Sequence, residues 1–221
     1  MKNNIIAIDG YASTGKTTLS KRIAKHLKYI HIDTGSMYRA FTLFAIENGV
    51  HEKKIIKKNK LENLLEDISF SFSQDNELLF KNNKLSDKIR STVVSDQVSK
   101  IASLKIVRKY MVNYQRNLVL KKNCVVEGRD IGSIVFPNAN IKFFMDADVE
   151  VRAKRRYNEL MKNNTNISYT SVLKNVSNRD KKDTNRSVAP LKKVSDSIII
   201  DTTNLSIDQA FNLMLKHVKN I

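Results

Sequence analysis

Short β-branched runs alternate along this chain with stretches whose apolar residues recur every three or four positions. Ile5-Ile6-Ala7-Ile8 predicts a first strand, and Leu19, Ile23, Ala24 and Leu27 place a helix directly after it. Tyr29–Asp33 reads as a second strand; Met37, Phe41, Phe44 and Ala45 then share a helical face, and Gly49 closes that helix. The basic, then leucine-rich segment from Glu52 to Asp67 predicts a further helix. There the period changes. Ile68, Phe70 and Phe72 alternate with serines, Gln74-Asp75-Asn76 supplies a turn, Glu77–Phe80 is a second short strand, and Asn82-Asn83 gives another turn. Residues 68–89 therefore predict a small antiparallel insertion. Helical spacing returns over Thr92–Ser103 and in Leu104, Val107, Met111, Tyr114 and Leu118. Cys124–Glu127 and Asn140–Asp146 read as strands, each followed by chemistry-bearing residues. A helix through Val151 and Leu160 comes next, then one from Tyr169 to about Asp180, running into a loop that carries Arg179, Asp183 and Arg186. Ser197–Asp201 is the last strand, and Ser206-Ile207-Asp208-Gln209 caps the terminal helix. The alternation predicts an α/β fold: a doubly wound parallel sheet with its site at the strands' carboxyl ends.

Between the first strand and helix lies Gly10-Tyr11-Ala12-Ser13-Thr14-Gly15-Lys16-Thr17-Thr18, the G-x-x-x-x-G-K-[ST] spacing of a phosphate-binding loop. Backbone N–H groups surround a polyphosphate only where side chains do not intervene, which accounts for Gly10 and Gly15. The helix start adds its unpaired N–H groups and positive dipole end. Lys16 is expected to reach the β/γ oxygens of ATP, and the Thr17 hydroxyl to ligate Mg²⁺. An ordinary strand–helix turn with a solvated lysine could carry the same letters; the strand before and helix after argue against it.

The 221 residues fit one domain with a small insertion. No run approaches the ~20 apolar residues that span a bilayer, and Asp9 with the glycine loop interrupts anything resembling a signal-peptide core. A cytoplasmic protein is expected, with Cys124, the single cysteine, in the core. The formal charge of +17 raises the question of nucleic acid. However, the lysines are scattered through Asn/Lys-rich surface segments and tryptophan is absent, so a solvated basic surface is expected and no specific nucleic-acid partner.

The arginines follow the strands instead. Arg39 comes one turn after the second strand, with Thr34 in the loop; Arg129 and Asp130 follow Cys124–Glu127; Arg152, Arg155 and Arg156 follow Asn140–Asp146. Arg179, Asp183 and Arg186 precede the last strand, and Arg108 lies on the helix before Cys124. Singly, each suits a surface ion pair. As a set at the carboxyl end of a sheet, these forked guanidiniums point to a second anionic substrate facing the triphosphate. Glu127, ending its strand, is placed to hold Mg²⁺ directly or through water. The four histidines lack ligand spacing, and none is assigned to catalysis. A phosphate acceptor tolerates that, because its attacking oxygen is already ionised and needs no general base.

These residues carry a family resemblance. Ile8-Asp9-Gly10 with Gly15-Lys16-Thr17-Thr18, Asp33-Thr34-Gly35-Ser36-Met37-Tyr38-Arg39, Glu127-Gly128-Arg129-Asp130-Ile131-Gly132 with Val135-Phe136-Pro137, and Asn178-Arg179-Asp180 through Asp183, Asn185-Arg186 and Val188-Ala189-Pro190 resemble bacterial-type cytidylate kinases, of the nucleoside monophosphate kinase group. The resemblance implies ATP-dependent, Mg²⁺-dependent phosphorylation of CMP or dCMP by a monomer. It implies catalytic roles for Lys16, Arg129 and Arg186. Gly10 through Thr18 would hold ATP, with Arg152, Arg155 and Arg156 on a helical lid. Arg39 and Arg129 would hold the acceptor phosphate with Thr34 nearby, Ser99, Arg108 and Asp130 the cytosine edge, and Arg179 and Asp183 the sugar, while Arg186 would bridge to the transferring phosphoryl. The implied regions are a core (1–33, 104–148, 187–221), a monophosphate-binding region (34–103) and a lid (149–186). One departure is visible: Tyr11 stands where the family usually has proline, and altered loop rigidity is expected. The alternatives are another small acceptor on the same fold (UMP, or a shikimate-like molecule) and an ATP-dependent RNA-binding module.

Overall fold

The computed structural model describes residues 3–52, 55–56, 58–73, 77–162 and 167–218. In chain order the elements are β1 (Ile5–Gly10), α1 (Lys16–Leu27), β2 (Ile30–Asp33), α2 (Thr34–Glu47), β3 (His51–Glu52), β4 (Ile55–Ile56), α3 (Lys58–Glu66), β5 (Phe70–Phe72), β6 (Leu78–Phe80) and β7 (Asn83–Lys84). There follow α4 (Thr92–Ala102), α5 (Lys105–Leu118), β8 (Cys124–Glu127), β9 (Ile141–Asp146), α6 (Val149–Lys162), α7 (Tyr169–Asn185), β10 (Ile198–Asp201) and α8 (Ile207–Val218). The chain divides into two compact units, Met1–His31 with Lys121–Ile221, and Ile32–Leu120.

The first unit is organised by the five-stranded sheet β10-β9-β1-β8-β2, in which β1 pairs in parallel with β8 and β9, and β9 with β10. Alternation along β1 sends Ile6 and Ile8 into a core with Leu19 and Ile23 of α1, Val125 of β8, Phe143 and Met145 of β9, and Ala210 and Met214 of α8. Cys124 is buried, and burial pushes its thiol up to about 12, leaving it inert in thiol chemistry. The cap of α8 is reciprocal, as its sequence requires: the Ser206 N–H donates to Gln209 Oε1 at 2.8 Å and the Gln209 N–H to Ser206 Oγ at 3.2 Å.

Several segments differ from the sequence expectation. The helix through Tyr169 does not give way to a loop near Asp180; α7 continues to Asn185, so Arg179 and Asp183 are helical and Arg186 is its C-cap. Val172, Val176, Arg179 and Asp183 fall at the i, i+4, i+7, i+11 positions of one face. Val172, Val176 and Asp183 of that face are buried while Arg179 is exposed, so the stripe continues in charge, which hydrophobic periodicity cannot register.

Within the second unit, α2 begins at Thr34 because Asp33 caps it, Oδ1 accepting the Ser36 N–H at 3.0 Å and Oδ2 the Ser36 hydroxyl at 2.6 Å. It ends as expected at Gly49 (φ 67), with Val50 N–H donating to Ala45 O and Gly49 N–H to Ile46 O. The second difference lies next: α3 begins only at Lys58, and β3 pairs antiparallel with β4 ahead of it, the β-branched Ile55-Ile56 pair favouring extended chain. The insertion is a three-stranded antiparallel sheet, β5-β6-β7. Its second turn is Lys81-Asn82, both at positive φ between Phe80 and its partner Asn83, one residue earlier than expected; the expected Gln74–Asn76 turn lies outside the described residues. Tyr114 of α5 closes the edge of β5: its hydroxyl accepts the Phe70 N–H at 2.7 Å and donates to Phe70 O at 3.2 Å. The same unit contains α5, which the sequence reading groups with the core.

Candidate active site

The loop from β1 to α1 takes its shape from three left-handed or strained positions: Gly10 (φ 146), Ser13 (φ 61) and Gly15 (φ 87). A Cβ on Gly10 would lie 2.1 Å from the Met145 carbonyl oxygen, so close approach to β9 excludes any side chain there, independently of phosphate. Lys16 curls back, Nζ donating to Tyr11 O at 2.5 Å, and Thr14 Oγ1 donates to the same carbonyl at 3.0 Å. Burial foremost, then the charges of Arg129 and Arg179, hold the Lys16 ammonium well below its ordinary pKa, with Glu127 and Asp9 opposing. An added anion is what such a lysine favours.

Glu127, buried at the end of β8, faces α1. Thr17 Oγ1 donates to its Oε2 at 3.0 Å; Ser20 Oγ donates to Oε1 at 3.0 Å, and His31 Nε2 lies 2.9 Å from Oε1. Among the described residues no group of three or more His, Cys, Asp and Glu side chains forms a metal cluster. The Thr17–Glu127 pair nevertheless offers only oxygens, one of them anionic, and this chemistry fits a hard cation such as Mg²⁺.

Beyond Glu127 the chain turns through Arg129 and Asp130 under the control of Asp9, a residue the sequence reading did not assign. Asp9 Oδ1 accepts the Ile131 N–H at 2.8 Å and Oδ2 the Gly132 N–H at 2.7 Å. Burial pushes Asp9 up to about 6 despite those two donors. The turn is thereby fixed relative to β1. Arg129 Nε then donates to Asp183 Oδ2 at 2.8 Å. Burial alone would raise Asp183, but Arg129, Arg179 and Arg186 together hold it below its ordinary value. Arg186 lies 3.5 Å from Asp130 and donates from Nε to Ala189 O. Lys16, Arg129, Asp130, Arg179, Asp183 and Arg186 are thus electrostatically linked within the first unit.

The three expected lid arginines separate. Arg152 is buried, donating to Ala147 O at 2.8 Å, to Asp180 Oδ2 at 2.5 Å and to Ala12 O of the loop at 3.5 Å. Its guanidinium also lies 5.0 Å from the Tyr11 ring, which packs edge-on against Phe144. The departure from proline at position 11 therefore has a packing partner. Arg155 donates to Thr202 O at 2.6 Å and Oγ1 at 3.0 Å, and Thr202 Oγ1 in turn reaches Thr14 O at 3.2 Å. Arg156 is half-buried and pairs with exposed Glu159.

Four expected residues belong to the second unit. Thr34, expected in the loop, is instead the first residue of α2, because Asp33 caps the helix there, and it is buried. Arg39 Nη1 donates to Ile89 O at 3.2 Å and Ser95 Oγ at 3.0 Å, and buried Arg108 lies over the Tyr38 ring at 5.4 Å. Ser99 is exposed on α4. Asp9, Ser20, His31, Asp180 and Thr202 were missed because each acts on residues distant in the chain. The signal for Asp9 was a carboxylate ending an otherwise apolar strand.

Among the described residues no helix is long and apolar enough to cross a membrane. A family model described as cytidylate kinase matches residues 6–220. Curated cytidylate kinases of Flavobacterium psychrophilum and Fusobacterium nucleatum are 43% and 42% identical, each match covering 100% of both chains. That of Thermosipho melanesiensis is 42% identical over 97% of this chain and 96% of its own. Two solved structures share the fold: an uncharacterized protein from Eubacterium ventriosum (TM-score 0.57, 16% identity, 100% of each chain) and a shikimate kinase from Bacteroides thetaiotaomicron (TM-score 0.50, 12% identity, 98% of each chain). With the phosphate loop, its buried lysine and the arginine–carboxylate cluster in place, full-length identity above 40% leads to one conclusion: the chain belongs to the cytidylate kinase family.

Proposed function

We propose that the enzyme transfers the γ-phosphoryl group of ATP to CMP or dCMP, yielding ADP and CDP or dCDP. The observation that carries this reading is the 43% identity to a cytidylate kinase across 100% of both chains. UMP and shikimate-like acceptors are not favoured, since likeness to the shikimate kinase is one of fold at 12% identity.

In this reading the backbone N–H groups of Gly10–Thr18 and the Lys16 ammonium bind the donor phosphates. Mg²⁺, held by Thr17 and Glu127, would neutralise charge on the β and γ oxygens. Arg129, oriented by Asp183, and Arg186, beside Asp130, bring cationic charge to the transferring group; their pre-paired geometry supports an arrangement that needs little reorganisation. The acceptor phosphate is already ionised, so none of these residues has to remove a proton from it. Arg39 and Thr34 would hold that phosphate, Arg108, Ser99 and Asp130 the cytosine edge, and Arg179 with Asp183 the sugar. Buried donors and acceptors left unpaired by uracil would account for selectivity of about 10²–10⁴.

The reading also assigns residues 34–103 to monophosphate binding and 149–186 to a lid that closes over ATP and excludes water. The carbonyl and carboxylate partners of Arg152 and Arg155 suit anchors of that lid, leaving Arg156, paired with exposed Glu159 of its own helix, as its arginine toward ATP. A cytoplasmic monomer completes the proposal. The test is an acceptor screen with CMP, dCMP, UMP and AMP in a coupled ADP-release assay: CMP and dCMP should be turned over at least about 100-fold more efficiently than UMP. Equal use of UMP would overturn the assigned acceptor.

A further inference from the structure

We propose that Ser20 and His31 are positioning residues that lock the Glu127 carboxylate in the orientation the metal end of the ATP site requires. The inference rests on the Thr17–Glu127 reading above and adds two residues to it. The two carboxylate oxygens have divided roles. Oε2 meets Thr17 Oγ1 at 3.0 Å, whereas Oε1 meets Ser20 Oγ at 3.0 Å and His31 Nε2 at 2.9 Å. Thr17 and Ser20 are one turn apart on α1, so a single helical face addresses both oxygens, and β2 brings His31 to the same side as Ser20.

Counting protons identifies the imidazole's role. A carboxylate only accepts, so the His31–Glu127 contact requires the proton on Nε2, and Ser20 Oγ, 3.0 Å from that nitrogen, cannot donate to it; the single Ser20 proton goes to the nearer, anionic Oε1 at 3.0 Å rather than to Thr17 O at 3.2 Å. His31 therefore donates to Oε1. With two donors on Oε1, rotation of the carboxylate would break two hydrogen bonds, and Oε2 stays beside Thr17. Ser20 is fully buried and the His31 side chain is 15% exposed, so water cannot readily substitute for either donor. Outer partners of this kind orient a metal-binding carboxylate and sharpen its affinity without touching the ion.

The test measures the affinity of the full-length enzyme for a fluorescent ATP analogue, once with excess Mg²⁺ and once in EDTA. His31→Leu and Ser20→Ala should each weaken binding about 10-fold with Mg²⁺, and by less than about 2-fold in EDTA. His31→Gln, whose amide can still donate to Oε1, should recover most of the loss. If His31→Leu does not fold, Ser20→Ala carries the same comparison. Unchanged affinity with Mg²⁺, an equal loss in both conditions, or no rescue by Gln would overturn the positioning role. A wild-type enzyme whose nucleotide affinity ignores Mg²⁺ would instead refute the Thr17–Glu127 metal reading itself.

Discussion

Asp183→Asn isolates the carboxylate that holds Arg129. The pair is 2.8 Å long, with side chains 18% and 11% exposed. Removing one partner of a buried pair costs about 3–5 kcal/mol. Asparagine keeps an acceptor for Arg129 Nε, and partial solvation screens the loss, so about 2–3 kcal/mol is expected at neutral pH. For a chain of this size that lowers Tm by roughly 5–10 °C. Because Asp183 is held below its ordinary 3.8 when folded, its contribution is complete above that value and is lost as pH falls through the lower, folded one. The gap between wild type and variant should therefore be wide at pH 7 and should narrow in acid. Urea unfolding at neutral and acidic pH measures both gaps. A neutral gap below about 0.5 kcal/mol, or one unaltered by acid, would refute the argument. Loss of orientation at Arg129 should also lower kcat about 10-fold or more, with the EDTA affinity for ATP little changed.

Two further predictions concern stability. Asp9 rises from 3.8 to about 6 on folding, so the native state retains a proton between those values and wild-type stability contains a term that falls as pH rises through them, worth about 3 kcal/mol. Asp9→Asn should abolish that term in urea titrations across this range; an unchanged slope would mean Asp9 is not the group. Gln115 is buried, and its amide nitrogen and oxygen find no hydrogen-bond partner among the described residues. Gln115→Leu should raise stability by about 1 kcal/mol, or roughly 2–4 °C in a thermal melt, and a fall in Tm would show the amide to be satisfied by internal water.

What the chain disclosed in advance was what is local. The phosphate loop is contiguous, and strand, glycine turn and helix stand in order around it. The α8 cap and the alternating Phe70 and Phe72 are likewise read within a few residues. Interactions across the sheet were not legible. Ser20 and His31 meet Glu127 from 107 and 96 residues away, and Asp9 meets Ile131 from 122. Asp183, buried, and Arg179, exposed, continue α7 with charge, which ends the apolar pattern without ending the helix. Gly10 illustrates a different limit: the motif explains it by phosphate, while its tightest constraint is the backbone of Met145. Cytosine, finally, was readable only through family likeness, because spacing of arginines specifies an anion and not the base attached to it.

The most direct measurement is ³¹P NMR of ATP and CMP incubated with the enzyme, run beside Lys16→Met. The wild-type enzyme should convert the CMP singlet into the paired α and β resonances of CDP in step with ADP. The variant should fold normally yet form CDP at least about 100-fold more slowly, because in the proposed mechanism Lys16 would meet charge that shifts in the transition state. ADP appearing without CDP, or equal CDP formation by Lys16→Met, would contradict phosphoryl transfer from this loop to a cytidine monophosphate.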